Sequence, residues 1–202
     1  MTGDIMKQQI LNYIQGCPKG WVFSAADFHD IGKRNTIDQN LLRLNQSGII
    51  KKIDTGLFFS LEQHPVLGIL PPSIDNIAHA YTRKFGHTIQ VTPLRAANLL
   101  GLSNQVPAKH VYLTSGSNKK ININNQQLIF KHACPKKLVG HDTKAGLVMQ
   151  ALYYFGKNHI DDNIITKIRS LLSTTDKADL QQLVKHMPTW MQQIAVKIIS
   201  ND

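Results

Sequence analysis

Three stretches of helical apolar spacing, each closed by a glycine and followed by two β-prone runs around a tight turn, constrain the N-terminal third of this chain to very few folds. Met6, Ile10, Tyr13 and Ile14 recur at i, i+4, i+7 and i+8, which predicts a helix over Asp4 to Gln15, closed by Gly16. Pro18 and Gly20 mark a turn, and Trp21-Val22-Phe23 is a short β-prone run. Ser24 is placed to cap a second helix, Ala25 to Ile31, ended by Gly32. Thr36 is placed to cap a third, with Ile37, Leu41 and Leu44 inward, Gln39, Arg43 and Gln46 opposite them, and Gly48 at its end. Ile49 to Ile53 and Leu57 to Leu61, around Asp54-Thr55-Gly56, predict a hairpin.

Three short helices and a hairpin in that order predict a winged helix-turn-helix domain over residues 1–64, with the third helix as reader. Arg43 matches the O6/N7 edge of guanine, Gln39 the N6/N7 edge of adenine, and Gln46 extends the same polar face. Arg34, Asn35 and Thr36 at the helix start, and Lys51 and Lys52 on the hairpin, are candidate phosphate contacts. The domain's net charge is only +1, low for a nucleic-acid binder.

Residues 65–202 predict a mixed α/β domain ending in a helical, bundle-like segment, so the whole chain is α+β. It opens at Pro65, with Pro71-Pro72 at the junction and a helix from about Ser73 to Phe85, stopped by Gly86. Thr88 to Val91 is β-prone, Pro93 opens a helix to about Leu100, and His110 to Thr114 is a strand candidate. Lys120 to Ile123 and Gln127 to Lys131 flank Asn124-Asn125-Gln126 as a hairpin. Beyond Thr143 four helices are expected: Lys144 to Phe155, one carrying Ile160 to Leu172, one carrying Leu180 to Met187, and one starting at Pro188.

Charge separates the chain more sharply than hydropathy does. With 42% hydrophobic and 18% charged residues, disorder is excluded as the main state. The net charge is +10, and nearly all of it lies between Arg83 and Lys144, where ten basic residues face one acid. Arg83, Lys84, Arg95, Lys109, Lys119, Lys120, Lys131, Lys136 and Lys137 are the candidate contacts of that segment with a polyanion or an acidic partner. The longest nearly apolar stretch, Leu147 to Phe155, is far short of the ~20 residues that cross a bilayer, and the N-terminus lacks the apolar run of a signal peptide. A cytoplasmic protein without membrane contact is expected. Cys17 and Cys134 fall in different predicted domains, which leaves no disulfide framework.

Catalytic readings fail on missing partners. Asp142-Thr143-Lys144 has the form of half a metal-dependent nuclease site, but no acid lies between Asp75 and Asp142 to complete it. Gly116-Ser117 lacks the downstream aspartates of a nucleotidyltransferase, and His132, Cys134 and His141 match no standard zinc spacing. Nor is there a phosphate-cradling glycine loop. The expectation is a non-enzyme with no catalytic residue, metal or cofactor.

Gly32-Lys33-Arg34, Ile37-Asp38-Gln39, Leu41 to Leu44, Ala96 to Ser103, Gln105 to Lys109, Val111 to Thr114, Gly146-Leu147-Val148 and Gln150-Ala151-Leu152 follow one another in an order that resembles the abortive-infection E class antitoxins, AbiEi type. The resemblance covers most of the chain. It implies a winged-helix domain that binds duplex DNA at the protein's own operator and represses it. It also implies a C-terminal domain that counteracts a nucleotidyltransferase-like toxin encoded beside it, directly or indirectly. Related wings carry arginine near the tip; Ile53-Asp54-Thr55-Gly56 puts an acid there, which leaves backbone contact to Lys51 and Lys52. Because tight binding with few basic residues needs two copies, the operator is expected to be an inverted repeat. The alternatives are an RNA-binding module using the basic segment directly, and a ligand-sensing regulator without a toxin partner.

Overall fold

The aromatic residues of the N-terminal third decide its core. In the computed structural model, which describes residues 2–54, 56–66, 68–123 and 126–200 (the first three by backbone alone), Phe23 and Phe28 are almost fully buried and meet edge to face at 5.6 Å. Helix α1 (Thr2–Gly16) lays Ile10 and Ile14 on this core. Tyr13 stays half exposed, yet its ring packs edge-on against Phe28 at 5.4 Å. Strand β1 (Val22–Phe23) leads to Ser24, which exchanges hydrogen bonds with Asp27 as a capping box. The expected second helix shrinks to a four-residue 3-10 turn, Ala25–Phe28. Its bonds run i to i+3, as from the Asp27 amide to the Ser24 carbonyl, and so tight a ladder does not propagate.

Helix α2 (Arg34–Gln46) begins two residues before the expected cap. Lys33 is the N-cap and offers no side-chain bond, while the Thr36 amide already donates to the Lys33 carbonyl at 3.0 Å. Thr36 is thus a first-turn residue, and its carbonyl accepts from the Asn40 side chain. Ile37, Leu41 and Leu44 are fully buried, as the periodicity requires. Strands β2 (Ile50–Asp54) and β3 (Leu57–Ser60) form the antiparallel hairpin, and β1 joins β3 to give the order β1-β3-β2. Thr55, at the expected turn, lies outside the described residues.

A second small hairpin, β4 (Glu62–His64) with β5 (Gly68–Leu70), was not legible in sequence, because Pro65 interrupts the run that would have signalled it. Helix α3 (Ile74–Phe85) follows, capped by Ser73 and ended by Gly86 in the left-handed region. Contacts divide the chain into two compact units, Met1–His87 with Ile121–Leu128, and Thr88–Lys120 with Ile129–Asp202. The first unit therefore includes α3, beyond residue 64.

The second unit is built around α5 (Lys144–Phe155), which is apolar on nearly every side and buries Ala145, Val148, Met149, Ala151 and Leu152. Small residues let α4 (Pro93–Leu99) pack closely on it through Ala96 and Ala97. Gly146 approaches the Gly140 carbonyl so closely that a Cβ there would collide with it. Helices α6 (Asp162–Leu171), α7 (Thr174–Leu183) and α8 (Thr189–Ile199) complete the core with Ile168, Leu180, Met191 and Ile198. The third expected helix stops at Leu183 and passes into a 3-10 turn, Val184–His186, before Pro188 caps the last.

Strands β6 (Ile89–Val91), β7 (His110–Thr114), β8 (Lys119–Ile123) and β9 (Gln126–His132) form a sheet in the order β6-β7-β9-β8. The tip of the last hairpin, Ile121–Leu128, groups with the first unit; Asn124 and Asn125 lie outside the described residues. The fold is α+β, with eight α-helices and three small sheets among the described residues. None of those helices is long and apolar enough to cross a membrane.

Candidate functional site

The buried stripe of α2 fixes what its other side presents. With Ile37, Leu41 and Leu44 in the core, Gln39, Arg43 and Gln46 are all exposed, at i, i+4 and i+7 along one line. The Arg43 side chain has no hydrogen-bond or ion-pair partner among the described residues. Asn35 is exposed at the helix start, and Thr36 is half-buried. Arg34 is exposed but engaged, donating from Nε to Asp38 Oδ2 at 2.9 Å, one turn along the helix. Lys51 and Lys52 are exposed on β2. The Lys52 amide donates to Asn45 Oδ1 at 2.9 Å, which ties the hairpin to the end of α2 and fixes the spacing of the two elements.

Two cations from the basic segment belong to this neighbourhood. Arg83 donates from Nε to Asp27 Oδ1 at 3.0 Å and from Nη2 to the Val22 carbonyl at 2.9 Å, clamping α3 to the capping box and to β1. Lys84 reaches the hairpin turn: a Cβ built on Gly56 would stand 2.9 Å from its Nζ. Burial, and then the nearby Arg34 guanidinium, hold the Lys84 ammonium below the usual lysine range, against the pull of Asp54 and Asp38. Arg34, Asp38, Asp54 and Lys84 therefore share one electrostatic neighbourhood at the start of α2. Nothing in the local sequence around Lys84 signals this. Lys84 stands seven residues after buried Ile77, so it shares that residue's side of α3 and is carried inward with it.

The remaining basic residues are distributed unevenly over the second unit. Lys119, Lys120 and Lys131, with Asn118 and His132, surround a shallow groove of about 480 Å³ floored by Ile129 and Phe130. The His132 amide donates to Asn118 Oδ1 at 2.7 Å, fixing the loop that precedes β8 against β9. Lys136 and Lys137 are exposed on a 3-10 turn, Pro135–Lys137, whose last carbonyl accepts from Gln150 at 2.9 Å. Lys109 is exposed on the loop before β7. Arg95 lies over the Tyr112 ring at 5.2 Å, and Lys144 pairs with Asp176 at 3.4 Å. Five lysines, Lys119, Lys120, Lys131, Lys136 and Lys137, are thus exposed on the β8–β9 hairpin base and the turn after it.

Among the described residues no three His, Cys, Asp or Glu side chains are grouped to hold a metal ion. Burial and Asp27 push the Cys17 thiol above its usual range, which disfavours a reactive thiolate. Thr143 is the side-chain cap of α5, accepting from the Gly146 amide at 3.0 Å.

Residues 9–180 match the protein family of unknown function DUF6088, and the chain belongs to that family. No curated protein matches it.

Proposed function

We propose that this protein is a non-catalytic antitoxin that represses its own operon through an N-terminal winged helix and counteracts a nucleotidyltransferase-like toxin through the basic surface of its second unit. The observation that carries the DNA-binding part is the exposed line Gln39, Arg43 and Gln46 on α2, held at fixed spacing from Lys51 and Lys52 by the Asn45 bond. The order helix, 3-10 turn, helix, hairpin supports the winged-helix reading. Lys84, outside residues 1–64, adds one positive charge beside Arg34 near the start of the reading helix.

The toxin-facing part is supported by the five exposed lysines of the β8–β9 region. The groove lined by Lys119, Lys120 and Lys131 favours contact with phosphate or carboxylate over base stacking, because Phe130 beneath it is 1% exposed. The test is binding of the full chain to the duplex upstream of its gene, by fluorescence anisotropy at several salt concentrations. The expected slope corresponds to roughly 3 to 5 phosphates neutralised per protomer, with two protomers on an inverted repeat. Equal affinity for upstream and random duplex would refute the repressor reading. Affinity for single-stranded RNA that exceeds affinity for the upstream duplex would favour the RNA-binding alternative.

A further inference from the structure

Strand alternation puts Phe58 on one face of the β2–β3 hairpin, in the core with Phe23, and Phe59 on the other, opposite Lys51. The second face is not packed solid. It forms one wall of a cavity of about 340 Å³, at the small end of the ~300–1,000 Å³ range of ligand sites. Ile69, Ile77 and Ile123 line it together with Phe59, and the only charged lining residues among those described are Lys51 and Lys52, both exposed. A chamber whose isoleucine and Phe59 walls meet Lys51 at the rim, with no acid among its described lining residues, selects its occupant. A neutral apolar molecule gains nothing from the hydrated Lys51 ammonium, a bare anion gains nothing from the isoleucines, and a cation is repelled.

We infer that this cavity binds a small amphipathic anion, a carboxylate or phosphate carrying a short apolar tail. The tail lies against Phe59, Ile69, Ile77 and Ile123, and the head meets Lys51, on the Phe59 face of β2. Because Lys51 is also a proposed phosphate contact of the hairpin, an occupant competes with DNA for it. That competition rests on the DNA-binding reading; the binding itself does not.

Calorimetric titration of the full chain with octanoate, octanol and acetate, in the absence of DNA, separates the two. Saturable one-to-one binding of octanoate is expected, about tenfold tighter than octanol, with no binding of acetate. Lys51→Gln combined with Lys52→Gln should erase the preference for octanoate over octanol. Ile69→Trp, at a half-buried position that can fill the chamber, should abolish octanoate binding while far-ultraviolet circular dichroism stays unchanged. No saturable octanoate binding, equal affinity for octanol, or full binding by a folded Ile69→Trp variant would overturn the site. In a separate arm, octanoate should displace a labelled upstream duplex. Octanoate that binds without displacing DNA would overturn the competition and leave the site standing.

Discussion

Arg83-Lys84 and Lys119-Lys120 are both pairs of adjacent cations in one basic stretch of sequence, and the fold uses them in opposite ways. Arg83 is spent internally, on Asp27 and the Val22 carbonyl, and Lys84 is drawn down beside Gly56 and Arg34. Lys119 and Lys120 stand exposed at the rim of a groove. A run of like charge along a chain is therefore not a patch of like charge on a surface. The amphipathic helix α3 carries the first pair into the N-terminal unit, and the β8–β9 hairpin leaves the second pair in the other.

The largest effect should come from the backbone that supports the second surface. Gly146→Ala places a methyl group against the Gly140 carbonyl, where backbone rather than a flexible side chain must give way. A loss of about 3 kcal/mol or more is expected, read as a lowered urea midpoint. An unchanged midpoint would mean that the α5 start is not packed as described. Next, converting Lys119, Lys120, Lys136 and Lys137 together to glutamate should abolish protection against the toxin while upstream-duplex binding persists. Protection equal to the parent's, from a folded variant, would reduce these lysines to a solvated face and shift the toxin contact to the helices beyond Thr143.

Arg83→Ala sharpens the comparison from the other side. It removes an ion pair whose aspartate is mostly buried and a bond to a β1 carbonyl, so a cost of about 1 to 2 kcal/mol is expected, with no effect on protection. Normal stability with lost protection would return Arg83 to the toxin-facing group. Lys84 gives a pH signature. Its ammonium is already disfavoured in the free protein, and a DNA phosphate favours the charged form, so DNA binding takes up a proton. Affinity should fall as pH rises through the depressed Lys84 value, below the ordinary 10.5, and Lys84→Arg should flatten that fall. A pH dependence identical in parent and Lys84→Arg would remove Lys84 from the interface.

The smallest effect is at Asp176. Its bonds from Ser173, backbone first and then side chain, with a lesser pull from Lys144, lower its carboxyl pKa below the ordinary 3.8. A carboxylate depressed in the folded state stabilises above that ordinary value, and the contribution is lost as pH falls through the folded one. Asp176→Asn should therefore lower Tm slightly near pH 6, with the difference shrinking as pH falls below the ordinary 3.8. A difference that stays constant over that fall would assign the effect to helix propensity instead.

The sequence located most elements because their signals are local. Ser73 and Gly86 bracket α3, and Ile37, Leu41 and Leu44 orient α2 without reference to the rest of the chain. It failed where local composition did not settle the outcome. Ala25 to Ile31 has the composition of a helix, but only one tight 3-10 turn forms behind the Ser24–Asp27 box. The exposed face of α2 was legible from periodicity alone. The position of Lys84 beside it was not, since it depends on which side of α3 finds the core. The relation of Lys51 to Phe59 required the register of β2 on β3, which no residue in either strand announces.

The central claim, that α2 reads DNA sequence, is tested most directly by the affinity of Arg43→Ala for the upstream duplex and for random duplex, side by side. A loss of about 1 to 3 kcal/mol on the upstream duplex, with little change on random DNA, is the predicted result. Equal losses on both would show that Arg43 holds only phosphate, and would contradict the assignment of the exposed face of α2 as the reader.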